Sequence, residues 1–126
     1  MDEKRKVVRW QVSLPVRYLG VSKHVEGVCE TQDLSLSGAR LAMIEKHEAG
    51  DQLYVLLDLP QGKNSSVRCE AQVMWQDRQH GLEEEYKYLT GIAFIKIRDT
   101  QKNTLLDYVN QHYPDLFRQR WWIGLQ

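Results

Sequence analysis

Hydrophobic and polar residues alternate with a period of two over much of the chain up to residue 97, a pattern typical of strands with one buried face. Three segments show it most clearly: Gln11–Tyr18, Gln52–Leu59 and Val67–Gln76. The side chains predicted to face the core are Val12, Leu14, Val16, Tyr18, Leu53, Val55, Leu57, Leu59, Val67, Cys69, Ala71, Val73 and Trp75. The polar face of the last segment carries Arg68, Glu70, Gln72 and Gln76.

Further strands are predicted at Glu26–Gln32, Gly38–Met43 and Leu89–Ile97, which brings the total to about six. Pro60–Ser66 is rich in turn-forming residues and predicts a hairpin loop. Half-buried antiparallel strands with short links favour a small barrel or sandwich, because closure removes exposed strand edges.

The periodicity becomes helical after residue 98. Asp99 or Thr100 is the expected N-cap, and Pro114 is expected to end the helix. An apolar stripe follows at helical spacing, formed by Leu105, Leu106, Val109 and Tyr113. A second short helix is expected within 115–123. We expect one domain over 1–113, with a flexible N-terminal arm at 1–10, and an aromatic, helical extension at 114–126.

Charge and composition exclude several classes of function. The 126 residues contain 17 Lys+Arg and 17 Asp+Glu, so no global positive field favours nucleic acid, and a barrel for single strands of the OB type is disfavoured. The N-terminus lacks an apolar signal-peptide core, and no apolar run reaches membrane-spanning length. We therefore expect a cytoplasmic protein, with Cys29 and Cys69 as reduced core thiols, since their spacing does not argue for a disulfide.

Catalytic and metal-binding patterns are missing from the sequence. The four histidines are scattered, and neither cysteine has a close metal-ligating partner. There is no phosphate-binding G-x-x-x-x-G-K-[ST] loop, no G-x-G-x-x-G and no G-x-S-x-G. We predict no enzyme activity, no metal and no catalytic cofactor.

Two short motifs carry the candidate chemistry. The first, Arg5-Lys6-Val7-Val8-Arg9, places two guanidinium groups four residues apart beside a strand. Such groups bind phosphate oxygens and the O6/N7 edge of guanine. The second, Asp33-Leu34-Ser35-Leu36-Ser37-Gly38, combines a carboxylate, a hydroxyl and a glycine on a turn. A carboxylate accepts from the N1–H and amine of guanine, so the pair predicts a receptor for a guanine nucleotide.

The two motifs, in this order and followed by these strands, resemble the PilZ domain, a bacterial receptor for cyclic diguanylate (c-di-GMP). The resemblance covers residues 5–112 and implies a mainly β fold, a six-stranded antiparallel barrel with a C-terminal helix. It implies that Arg5 and Arg9 clamp the dinucleotide and that Asp33 accepts from a guanine edge. Ser35 is expected to bond a base or phosphate oxygen, and Gly38 to allow close approach of the ligand.

Other residues are weaker candidates for the ligand site. Gly91-Ile92-Ala93-Phe94 fits a Gly-x-x-Phe element of the family, which would place Gly91 near a base. Lys4 could help with phosphate, although a solvated lysine is the simpler interpretation. Trp10 could stack on a guanine or pack in the barrel. Arg40 follows the second motif on a strand and is a further contact candidate.

The resemblance implies a signalling effector that binds c-di-GMP and relays the signal to a protein partner in motility, pilus function or exopolysaccharide and biofilm control. The alternative is an interaction adaptor that works without nucleotide; the intact motif residues argue against it. The tail residues Phe117, Trp121, Trp122 and Ile123 could form a partner patch, a homodimer surface or a lid, or simply pack on the barrel.

Overall fold

A computed structural model of the chain describes residues 9–22, 24–60, 66–79 and 88–117. Its elements in chain order are β1 (Pro15–Gly20), β2 (Glu26–Leu34), β3 (Gly38–Met43), β4 (Gln52–Asp58), β5 (Ser66–Arg78), β6 (Tyr88–Lys96), α1 (Asp99–His112) and α2 (Pro114–Phe117). The predicted hairpin loop falls almost entirely outside the described residues, as do most of the predicted second helix and the two tail tryptophans.

The six strands form a closed barrel in the order β1-β2-β3-β6-β5-β4, in which every neighbouring pair is antiparallel. β1 also pairs with β4, from Val16 opposite Leu57 to Gly20 opposite Leu53, and this pairing closes the sheet. The predicted six-stranded antiparallel barrel with a C-terminal helix is therefore confirmed. Closure removes the strand edges that an open sheet of this size would expose.

The alternating apolar residues fill the barrel. Almost all of the side chains predicted to face inward are buried in one continuous core, together with residues of β2, β3, β6 and α1. Val12 and Leu14 are buried although β1 begins only at Pro15. The predicted strand from Gln11 is thus too long, because at Leu14 a side chain of β2, Thr31, takes over the bonding of the backbone N–H.

Trp75 is the exception, and the prediction that it faces the core is wrong. Between Val73 and Trp75 the pairing of β5 with β6 shifts, so that the two residues pair with the adjacent Ile92 and Gly91. This bulge reverses the alternation, since one extra residue moves every following side chain to the other face. Trp75 is consequently 39% exposed.

Beyond the bulge, Gln76 has turned toward the inside of the barrel end, which also departs from the prediction. Its amide nitrogen donates to the hydroxyl of Thr90 at 2.8 Å and to the carbonyl of Glu45 at 3.1 Å. Its amide oxygen accepts from the backbone N–H of His47 at 2.7 Å. The polar residue therefore ties the β3–β4 connection to β5 and β6.

Helix α1 packs on the barrel through Leu105, Tyr108 and Val109, which are buried, while Leu106 and Tyr113 lie against the core. The predicted N-cap at Asp99 or Thr100 is wrong, because Arg98 is the capping residue and makes no side-chain capping bond. Asp99 instead lies in the first turn, where a carboxylate is favourable to the helix dipole. The helix ends before Pro114, as predicted.

Both cysteines are free and buried. They lie on β2 and β5, which are not neighbours in the barrel. In the part of the chain that the structure describes, no helix is long and apolar enough to span a bilayer.

Candidate functional site

The turn between β2 and β3 is built around the hydroxyl of Ser35. This oxygen accepts from the backbone N–H groups of Ser37 at 3.2 Å and Gly38 at 3.1 Å. It also lies 3.2 Å from the Gly38 carbonyl and 3.2 Å from the Ser37 hydroxyl. Ser35 is buried, so in this structure its hydroxyl shapes the turn and does not point to a ligand.

Gly38 is required by the backbone of β6. A Cβ at this position would collide with the carbonyl oxygen of Ile92, on the strand that pairs with β3. The backbone N–H of Phe94 then donates to the Ser37 carbonyl at 2.8 Å. The close approach that the sequence suggested at Gly38 is thus made here by a neighbouring strand.

A bulge in β2 brings the side chain of Asp33 next to that of Arg40. The register of β2 with β3 shifts between Thr31 and Asp33, which places Asp33 opposite Arg40. Arg40 donates from Nε to Oδ2 of Asp33 at 2.6 Å, and its Nη2 lies 2.5 Å from the same oxygen. One hydrogen bond and one ion-pair contact from the same guanidinium group orient the Asp33 carboxyl group.

Arg9 approaches the other oxygen of the same carboxylate. Trp10 and Leu34 exchange backbone hydrogen bonds of 2.7 and 2.9 Å, and this bridge holds the start of the described chain beside the end of β2. Nη1 of Arg9 lies 3.3 Å from Oδ1 of Asp33. The contact is longer than either contact made by Arg40, so Oδ1 is the less firmly held oxygen.

The charge balance of the site favours an anion. The Asp33 side chain is 3% exposed, whereas those of Arg9 and Arg40 are each 40% exposed. Two guanidinium groups around one carboxylate leave one net positive charge, and the exposed parts of both groups face solvent. Such an arrangement can donate to phosphate or to a base edge while the buried carboxylate accepts from a base.

Gly91 and Trp75 lie on the next two strands of the same sheet. Arg40 is paired with Gly91 across β3 and β6, and Gly91 with Trp75 across β6 and β5. A Cβ on Gly91 would collide with Nε1, Cε2 and Cζ2 of the Trp75 indole, so the ring lies directly on this glycine. The sequence suggested Gly91 beside the ligand and assigned Trp75 to the core, whereas the structure places the indole outside the barrel on Gly91.

Trp10, a further candidate from the sequence, does not join this group. Trp10 is 1% exposed and belongs to the core, so it offers no ring face to a ligand in this structure. Lys4 and Arg5 lie outside the described residues. The structure therefore brings Arg9, Asp33 and Arg40 together and adds a neighbouring indole.

The two cysteine thiols lie away from this site and are not activated. Burial, and secondarily the nearby Glu30, raises the pKa of Cys29 to about 12. Burial and Glu70 raise the pKa of Cys69 to the same value of about 12, so both thiols remain protonated near neutral pH. Among the described residues, no cluster of His, Cys, Asp or Glu could hold a metal ion.

A large open groove, of about 1700 Å³, lies between α1 and the outer face of β1, β4 and β5. Its charged residues are mixed, and Arg17 is already paired with Asp58 at 3.0 Å. Asp33, Arg9 and Arg40 do not line it. The charged site at the β2–β3 turn and this groove are separate features of the surface.

Comparison with known proteins identifies the family of this chain and structures of similar fold. A family model described as the PilZ domain matches residues 3–111. Among solved structures, the inhibitor of motility MotI/DgrA of Bacillus subtilis superposes with a TM-score of 0.71 at 17% identity, over 90% of this chain and 52% of that chain. The chain thus spans about half of that protein.

Two further structures are PilZ domains that this chain covers almost completely. The PilZ domain of YcgR from Escherichia coli, solved with c-di-GMP, has a TM-score of 0.67 at 13% identity, over 90% of this chain and 94% of that chain. The PilZ domain of CeSA from a cellulose-synthesizing bacterium has a TM-score of 0.53 at 17% identity, over 84% and 95%. At such identities the structures support the fold alone. No curated protein matches by sequence.

Proposed function

Because this chain belongs to the PilZ domain family, we propose that it binds c-di-GMP and acts as a non-catalytic signalling effector. The observation that carries the proposal is the buried carboxylate of Asp33, held by Arg40 and flanked by Arg9. The PilZ domain of YcgR, which has the same fold, was solved with this nucleotide. A receptor for a molecule with two guanines and two phosphates needs such acceptors and cationic donors side by side.

In this proposal, nucleotide binding replaces the weaker contact of Asp33, which is the one with Arg9. Oδ2 keeps its two contacts with Arg40, while Oδ1 gives up the 3.3 Å contact with Arg9 and accepts from the N1–H or amine of a guanine. The freed guanidinium of Arg9 then donates to a phosphate or to the O6/N7 edge of a base. The carboxylate therefore stays paired throughout, which avoids leaving a buried charge uncompensated.

Arg5 and the rest of the predicted arm before Arg9 complete the site in this proposal, whereas Trp10 is already buried and bonded to Leu34. Arg5 is four residues before Arg9 and supplies the second guanidinium of the clamp. We propose that the arm folds over the nucleotide and that Lys4 adds charge near a phosphate. Amide-exchange protection of residues 2–8 should rise on binding; unchanged protection would contradict this part of the proposal.

Ser35, Gly38 and Gly91 contribute mainly through the shape of the site. Ser35 sets the turn that follows Asp33, and Gly38 admits the backbone of β6. Ser35 can still donate to a ligand oxygen if it releases one of its bonds within the turn. In this proposal these residues shape the binding site, and none of them is a charged partner of the nucleotide.

In this proposal the protein acts in the cytoplasm and relays the c-di-GMP signal to a protein partner. The process controlled is motility, pilus function or exopolysaccharide and biofilm formation. The Bacillus subtilis protein of similar fold is named an inhibitor of motility, which makes motility the first process to examine. The extension at 114–126, rich in aromatic residues, is the segment that we propose for partner binding or for a homodimer contact.

The test is calorimetric titration of the full chain with c-di-GMP, with GMP and GTP as competitors. We expect selective binding that Arg9→Ala or Asp33→Ala weakens by roughly 10- to 100-fold, since each removes charge-assisted hydrogen bonds. Arg17→Ala is the matched control, because Arg17 forms an exposed ion pair with Asp58 away from the site. It should bind like the wild type.

No binding by the folded wild type at high nucleotide concentration would overturn the proposal. The alternative, a nucleotide-independent adaptor with the same barrel, would then be the better description. Equal weakening by Arg9→Ala and by the control Arg17→Ala would show that the Asp33 site is not where the nucleotide binds.

A further inference from the structure

The groove between α1 and the outer face of β1, β4 and β5 follows α1 along almost its whole length. The helix residues that line it are spaced by three or four positions, and they are Gln101, Thr104, Asp107, Tyr108 and Gln111. Residues at this spacing lie on one side of a helix. The 14 residues of α1 make a helix of about 21 Å, so the groove is long enough to hold an extended segment of chain.

The floor of the groove carries adjacent apolar side chains. Leu19 on β1 is paired directly with Tyr54 on β4, and both residues alternate with buried ones, so they lie on the outer face. Leu56 is two residues further along β4 and points the same way. Tyr54 is 49% exposed, and the two leucines are half-buried. Contiguous apolar surface with charged residues around it is typical of a contact site.

The chain leaves α1 on the side of this groove. Tyr113 directly follows α1, and its ring centroid lies 6.2 Å from that of Tyr108, which lines the groove. Helix α2 then packs against α1. The chain beyond α2 therefore continues from the end of the groove at which Gln111 lies.

Residues 118–126, which lie outside the described residues, have the length and composition to fill the groove. Nine residues reach up to about 30 Å when extended, which exceeds the length of α1. The segment contains four large apolar residues, Trp121, Trp122, Ile123 and Leu125. Tryptophan is among the most frequent anchors of protein contacts, because it covers a large area with few rotatable bonds.

Charge is complementary at the end of the groove where the segment starts. Asp107 lines the groove one turn before Gln111, and it is exposed. Arg118 and Arg120 precede the tryptophans in the segment. A segment that enters from the Gln111 end therefore brings its arginines to the carboxylate of Asp107 and its apolar residues further into the groove.

From these observations we propose that residues 118–126 dock in the groove of their own chain, with the tryptophans covering Leu19, Tyr54 and Leu56. This contact goes beyond the proposed function and does not require a nucleotide. A docked segment also covers its own aromatic side chains. A protein partner that binds these tryptophans must therefore first displace them from the groove.

Hydrogen exchange of the full chain, measured without nucleotide, tests the contact. The amides of residues 118–126 should exchange about 10-fold or more slowly than those of an unstructured peptide. The double variant Tyr54→Thr/Leu56→Thr removes the apolar floor and should cancel most of this protection, while threonine remains favourable in a strand. Val28→Thr is the matched control, because Val28 is 64% exposed on β2 and does not line the groove. It should exchange like the wild type, and thermal melting checks that each variant is folded.

Chemical cross-linking locates the segment without removing the apolar floor. Gly124→Cys is combined with Glu70→Cys, because Glu70 lines the groove, and a short bismaleimide should link the two thiols within one chain. Gly124→Cys with Glu30→Cys is the control, since Glu30 is exposed on β2 and does not line the groove. Each strand cysteine introduced is next to a native cysteine, Cys69 or Cys29, and both of these are buried. The two background reactions are therefore matched.

Three results would overturn the inference. Exchange of residues 118–126 at the rate of an unstructured peptide would show that the segment is not docked. Protection that persists in the folded double variant would place the segment elsewhere on the barrel. A cross-linked product that joins two chains would place it in the groove of a second copy. None of these results bears on nucleotide binding, and a failure to bind c-di-GMP would leave the docked segment in place.

Discussion

The hydroxyl of Thr31 accepts a hydrogen bond from the backbone N–H of Leu14 at 2.8 Å, and it donates to the carbonyl of Val12 at 2.5 Å. The backbone N–H of Thr31 also donates to the carbonyl of Leu14 at 3.0 Å. One buried side chain thus replaces the ladder bonds that the segment before β1 lacks. It fixes this segment on β2, close to where Arg9 meets Asp33.

Thr31→Val should therefore destabilise the protein by about 1–3 kcal/mol, because it leaves the Leu14 N–H buried without a partner. Thr104→Val is the matched control, since the Thr104 hydroxyl bonds the Thr100 carbonyl on the exposed side of α1. Urea unfolding followed by circular dichroism measures both variants. An equal loss of unfolding free energy in the two would contradict a special role for Thr31.

Arg40→Ala should lower the affinity for c-di-GMP by at least about 10-fold, because Asp33 loses both contacts that orient Oδ2. Arg40→Lys should recover only part of this loss. A lysine ammonium cannot reproduce the planar guanidinium group, which contacts Oδ2 through both Nε and Nη2. Calorimetry on the three proteins gives the affinities; full affinity in Arg40→Ala would show that Asp33 needs no such support.

Gly38→Ala should weaken the pairing of β3 with β6 and cost about 1–3 kcal/mol, because its Cβ meets the fixed carbonyl of Ile92. Gly20→Ala is the control, since the nearest atoms to a Cβ there are 3.6 Å away, an ordinary contact. The midpoints of thermal unfolding should fall for the first variant and change little for the second. The reverse order would contradict the packing explanation.

Alkaline pH should destabilise the protein through its two buried thiols. Burial raises the pKa of Cys29 and of Cys69 from 9.0 to about 12, so the unfolded chain releases these protons first. The stabilisation that the two protonated thiols contribute to the free energy of unfolding is fully present below pH 9, and it is lost as the pH rises from 9 toward 12. Each thiol should reduce the unfolding free energy by up to about 1.4 kcal/mol per pH unit in that range.

The double variant Cys29→Ala/Cys69→Ala isolates this effect. Urea unfolding at several pH values should give a shallower alkaline decline for the double variant than for the wild type. Some decline should remain, because burial and the hydrogen bond to Glu45 also raise the pKa of Tyr18. An identical pH dependence in both proteins would show that the thiols are not protected by folding.

The alternation of apolar and polar residues predicted most of the strands of the barrel. The bounds of β3 were predicted without error, and those of the other strands except β1 within two residues at each end. This success has a physical basis, because one buried face imposes a period of two on each strand by itself. The sequence also selected Arg9 and Asp33 as candidates for a ligand site, and the structure brings their side chains within 3.3 Å of each other.

The sequence by itself determined the strands, the helical stripe of α1 and the identity of the charged residues. Only the tertiary structure decided that Asp33 faces Arg40, that Ser35 is used by its own turn, and that Trp75 lies outside on Gly91. The two bulges responsible arise from pairing between strands distant in sequence, and a shift of one residue reverses which face a side chain occupies. No periodicity within one strand records that choice.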